Sequence, residues 1–142
     1  MKRAVERYTV PREALEAVAR DGLEETLAAV ARLRIENSAR PVAIKLQRIL
    51  TAQSYRFPEL FNIAFEEGTG PTVSFLSDLF IRYDRQGEIN VPEPHRAATA
   101  FLSIAAGGPT RIIVSGNKLD DMEIDQHIRF AVNLFLVGVR RR

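Results

Sequence analysis

The chain is predicted to be all-α with one core, and three observations carry the prediction. Apolar residues recur at helical spacing along most of its length, prolines stand where helices would begin, and no pair of strand-like runs offers a sheet. At 142 residues there is room for a single domain of about six to seven helices. A hydrophobic fraction of 46% beside 27% charged residues excludes a disordered tail. The longest apolar run falls short of the roughly 18 residues of a membrane span, and the start "MKRAVERYTV" has no apolar signal segment, so the expected compartment is the cytoplasm.

The first element is read from "TVPREALEAVARDGLEETLAAVARLRI". Thr9 is its candidate cap, Pro11 falls in the first turn, and Leu15, Val18, Gly22, Ala29 and Leu33 share one side. Glu13, Glu16, Arg20 and Glu24 mostly line the other, and Gly22 is placed to break or kink the helix. After the turn residues "ENSARP", Pro41 opens a helix with Val42, Leu46 and Ile49 on one stripe and Lys45, Gln47, Arg48 and Thr51 opposite.

In "YRFPELFNIAFEEG", Pro58 cannot lie in mid-helix, at a cost of about 3 kcal/mol, and it pushes Phe57 out of the α region. Pro58 therefore starts a new helix, with Glu59 in its first turn and Leu60, Phe61, Ala64 and Phe65 on an apolar face that ends at Gly68. Gly70-Pro71 restarts the pattern: Val73, Leu76, Leu79, Phe80 and Tyr83 align, opposite Ser74, Ser77, Asp78, Arg82 and Arg85, with a stop near Gly87.

"GEINVPEP" is a turn, and "HRAATAFLSIAAGGP" is an alanine-rich helix. "RIIV" would suit a strand, but none is there to pair with it, so residues 109 to 115 are read as a helical extension and Ser115 to Lys118 as a loop. The last helix, about residues 121 to 140, confines Asp125, Gln126, Arg129, Asn133 and Arg140 to one arc. Ile124, Ile128, Ala131, Phe135 and Val139 form one apolar face; Phe130, Leu134 and Val137 form another, which a domain this small would leave wet unless a partner subunit covered it. A symmetric homodimer is expected.

Chemistry finds little support. There is no cysteine, so disulfides, thiolate nucleophiles and thiolate metal sites are absent together. A net charge of +2, with acids and bases interleaved through the first forty residues, makes no basic stripe for nucleic acid. Glu123 and His127 stand four apart and could share a metal, yet Asp120 with Glu123 matches a capping box, the stronger reading. His95 follows Pro94 at a helix start and reads as a surface or cap residue. The glycine pairs of "EEGTGP" and "AAGGPT" lack the lysine of a phosphate loop, and the final "RRR" reads as a solvated end on a helix C-terminal dipole. No enzyme, metal or cofactor is expected. Six phenylalanines, Phe57, Phe61, Phe65, Phe75, Phe80 and Phe101, fall on consecutive helices; most should be core, but a pocket among them would suit an apolar or amphipathic small molecule.

The ordered set "YRFPELFNIAFEEG", "DRQGEINVPEPHRAATAFLSIAAGG" and "IRFAVNLFLVG" resembles the C-terminal domain of TetR-family transcriptional regulators of the AefR-like type, over about residues 41 to 140. The resemblance implies a helical regulatory domain that dimerises through its last two helices as a four-helix bundle and encloses an effector cavity. "YTVPREAL", with Tyr8, Arg12, Glu13, Ala14 and Leu15, is similar to the junction after the DNA-binding module, and only "MKRAVER" precedes Tyr8, so the helix-turn-helix is expected to be largely missing and DNA binding to require one upstream. Residues 1–40 are then a remnant of that connection plus the connecting helix, and 41–142 the regulatory and dimerisation domain. Pocket candidates are Phe61, Phe65, Leu79 and Phe101. Dimer-interface candidates are Ala98, Phe101, Ile124, Ile128, Ala131 and Phe135, with the choice between the last helix's two faces left open. The alternative is a stand-alone module that heterodimerises with an intact family member.

Overall fold

Residues 9–141 are described by the structure, a computed structural model, and they fold into six helices joined by short connections. These are α1 (Arg12–Val18), α2 (Leu23–Ser38), α3 (Pro41–Ser54), α4 (residues 58–85), α5 (Pro94–Val114) and α6 (Asp121–Val139). The segment "MKRAVER", Tyr8 and Arg142 lie outside the described residues.

The long first helix expected from Thr9 is divided in two. Ala19 leaves the helical region (φ −58°, ψ 144°), and buried Thr26 clamps the break: its Oγ1 accepts from Arg20 N at 2.9 Å and donates to Arg20 O at 3.0 Å. The hydroxyl substitutes for backbone partners that the interrupted ladder lacks. Pro58 does begin α4, with Phe57 held outside the helix at φ −132° and ψ 79°.

The break expected at Gly68–Gly70 does not occur. α4 runs on through a π-helical turn, Ala64–Thr69, into Gly70–Arg85, and α5 repeats the device at Ser103–Gly107 before Gly108–Val114. Each π turn is followed directly by Gly-Pro. Pro71 has no N–H for Glu67 O, and its ring would crowd that carbonyl in a regular α turn, so the ladder widens instead of stopping. The displaced carbonyls find side chains from elsewhere. Thr9 Oγ1 donates to Glu67 O at 3.0 Å, so it serves α4 and not its own helix; Arg34 Nη1 donates to Gly68 O at 3.2 Å; and His127 Nε2 lies 2.8 Å from Ile104 O.

The core joins α1, α2, the second half of α4, α5 and α6. Leu15, Leu27, Val30, Ile35, Leu76, Phe80, Phe101 and Leu136 are fully buried in it. Phe135 packs on both Phe80 and Phe101 at 5.2 Å between ring centroids. At the far end Gly87, at φ 82°, turns the chain out of α4, and Asp84 Oδ2 accepts from Val91 N at 2.7 Å. An isolated antiparallel bridge pairs Ile89 with Arg140, and Asn90 N donates to Val139 O at 2.7 Å, tying the end of α6 to the α4–α5 connection.

α6 starts as the capping pattern requires, with Asp120 Oδ1 accepting from Glu123 N at 2.8 Å. Arg140 and Arg141 pair with Glu24 and Asp84 instead of standing free on the helix end. α5 is long and apolar enough, by length and composition alone, to cross a membrane, yet its Ala98, Phe101, Leu102, Ala105 and Ala106 are buried in the domain core.

Candidate ligand cavity

α3 and the first part of α4 stand off this core. α3 buries only Ala43, and Pro58–Ile63 buries none of its residues. Between them and the rest of the domain lies a cavity of about 390 Å³, within the usual size of small-molecule sites. One wall is α3, with Ala43, Leu46, Gln47 and Leu50; the next is α4, with Phe61, Ala64, Phe65, Gly68 and Thr69. α5 supplies Thr99, Leu102, Ser103, Ala106, Gly107 and Thr110, while Arg34, Asn37 and Ser38 of α2, with Thr9, close the end. Both π turns therefore face it. A π turn shifts the following residues around the helix and leaves backbone carbonyls to bond outside the ladder, which is how two straight helices come to border an open space.

The lining is mostly aliphatic and aromatic. Phe61 and Phe65, one turn apart, stack with centroids 6.2 Å apart and planes at 24°; Phe61 is 61% exposed and Phe65 half-buried. The hydroxyls of Thr99 and Ser103 donate to carbonyls one turn back, His95 O at 3.2 Å and Thr99 O at 3.0 Å, so their protons are committed within α5. Among the described residues Arg34 is the one charged side chain in the lining, and burial pushes its guanidinium below the usual arginine range.

The candidate residues do not all meet here. Phe61 and Phe65 line the cavity. Leu79 is buried on another side of α4, beside a separate cleft with Arg12, Phe75 and Asp78, and Phe101 is fully buried against Phe135. Helical periodicity tells which face of a helix is apolar but not what stands opposite, which is why four phenylalanine and leucine positions divided evenly between cavity and core. Of the interface candidates, Ala98, Phe101, Ile124, Ile128 and Ala131 are buried inside this chain and Phe135 is partly so, because α6 turns that face onto α2 and α5. The second face is outside: Phe130, Leu134 and Val137 are 67%, 52% and 61% exposed. Arg34 was missed. Its signal was a charge three and four residues beyond Ala31 and Val30, both fully buried, and hence on the margin of an apolar stripe. Among the described residues no group of three His, Asp or Glu side chains is placed to hold a metal.

The fold is that of transcriptional regulators. It matches the flavonoid-responsive regulator FrrA with a TM-score of 0.79 at 24% identity, over 99% of this chain and 74% of that one. It also matches a TetR-family transcriptional regulator from Mesorhizobium loti MAFF303099 with a TM-score of 0.74 at 20% identity, over 99% of this chain and 68% of that one. Residues 25–138 match the family of the AefR-like transcriptional repressor C-terminal domain, and the chain belongs to that family. No curated protein matches the sequence.

Proposed function

We propose that this chain is the ligand-sensing and dimerising domain of its regulator, working by binding and not by catalysis. The observation that carries the reading is the cavity of about 390 Å³ between α3, α4 and α5, walled by apolar side chains and bordered by two π turns. A flavonoid-responsive protein shares the fold, and flavonoids are planar, aromatic and partly polar, the type of molecule such walls suit. A small apolar or amphipathic effector bound there acts by its differential affinity for two arrangements of the helices, and so changes what the dimer presents to DNA. The dimer forms through the outer faces of α5 and α6, where Phe130, Leu134 and Val137 repeat at coiled-coil spacing beside exposed Ile104. The domain is expected to work in the cytoplasm.

The test is direct. N-phenyl-1-naphthylamine, a neutral aromatic probe that fluoresces on leaving water, should bind at one site per chain, and Ala64→Trp should fill the cavity and abolish binding. Sedimentation at micromolar concentration should show a dimer. A monodisperse monomer, or a chain that binds no probe, contradicts the proposal.

A further inference from the structure

Arg34 reaches the cavity wall from α2 and meets no counter-charge among the described residues. Other arginines pair off at the surface: Arg12 with Asp78, Arg32 and Arg129 with Asp125, Arg96 with Glu93, Arg140 with Glu24 and Arg141 with Asp84. Among the described residues Arg34 has one side-chain hydrogen bond, from Nη1 to Gly68 O, and no carboxylate of theirs lines the cavity. A guanidinium carries five N–H donors in a flat fork, so most of its donors are left for something else. A half-buried cation beside an apolar space is only partly solvated, so an anion that joins it there gains more than it would at the open surface.

We infer that Arg34 is the anchor for an anionic head group, and that the effector is an aromatic or aliphatic molecule bearing one anionic oxygen group such as a carboxylate. The head group meets the guanidinium at the α2 end of the cavity. The apolar body lies along Leu46, Leu50, Phe61, Phe65 and Leu102. Because Arg34 also holds Gly68 O in the π turn of α4, an anion that draws on the same fork bears on the geometry of that turn. The inference rests on the reading of the cavity as an effector site.

Two fluorescent probes with the same aromatic body test it: neutral N-phenyl-1-naphthylamine and 8-anilino-1-naphthalenesulfonate, which carries one negative charge. The wild-type chain is expected to bind the anion at least about tenfold more tightly, the size of one charge-assisted hydrogen bond. Arg34→Gln should remove that preference and leave the neutral probe's affinity little changed, with circular dichroism as the check on folding. Parity between the probes in the wild type, or a preference that survives in folded Arg34→Gln, overturns the inference while the cavity reading stands. Should Arg34→Gln fail to fold, the wild-type pair decides, with Ala64→Trp locating both probes in the cavity: a tenfold preference supports the anchor and parity overturns it. Absence of binding by either probe defeats the cavity reading, and the anchor with it.

Discussion

Thr72 is fully buried, and its Oγ1 has no hydrogen-bond partner among the described residues. An unsatisfied hydroxyl in the interior costs about 1–3 kcal/mol, so Thr72→Val, which keeps the shape and removes the polar atom, should raise stability by about 1 kcal/mol, read as a shift in the denaturant midpoint. Phenylalanines at similar helical positions should behave oppositely to one another. Phe101→Ala empties a site at 0% exposure and should lower stability by about 3–5 kcal/mol. Phe61→Ala removes a largely exposed ring and should cost less than about 1 kcal/mol while weakening probe binding several-fold. The division between them was not legible in the sequence, where both are aromatic residues on an apolar stripe. What could be read was the backbone cause: Pro58 sets where α4 begins, and thereby the angular positions of Phe61 and Phe65. Arg34 escaped because polarity on a helix margin is ordinarily a solvated residue, and only the stand-off of α3 turns that margin into a wall.

At the scale of elements, the π turns separate what the sequence shows from what it hides. Gly70-Pro71 and Gly108-Pro109 look like terminators, since glycine and proline are the usual punctuation of helices. Here a change of hydrogen-bond register absorbs each proline, and register leaves no trace in composition. Thr9, ahead of α1, Arg34 of α2 and His127 of α6, which bond to the carbonyls the widened turns expose, are 23 to 58 residues away along the chain. Pro71→Ala restores an N–H for Glu67 O in competition with Thr9 and should return Ala64–Thr69 toward regular α-helix. The expected outcome is an unchanged helical circular dichroism spectrum, slower amide exchange through residues 64–69, and a several-fold loss of probe affinity as Phe65 and Thr69 rotate on the cavity wall. Other elements were legible because their signals are local: the Asp120 cap, the Pro58 start and the turn at Gly87 each depend on a few adjacent residues.

For the whole molecule, the sequence already showed that α6 has more apolar surface than one small domain covers, and the structure decides which face stays out. Burying Phe130, Leu134 and Val137 against a second copy would gain roughly 1.5–3 kcal/mol for each side chain fully covered. Leu134→Arg should therefore yield a monomer by sedimentation at micromolar concentration with its helix content intact, whereas Ile128→Arg, on the buried face, should unfold the chain. Stiffness is distributed as unevenly as apolar surface. The bridge between Ile89 and Arg140 closes α5 and α6 into a loop fastened at its base, whereas α3 buries only Ala43 and is pinned to α5 by Arg48 Nε donating to Val114 O at 2.8 Å, and the first turns of α4 bury nothing. Under load such a body would behave like a hinged panel on a fixed frame: on the function proposed above, the frame would keep its alignment with its twin, and the panel would supply the travel that admits and releases the small molecule.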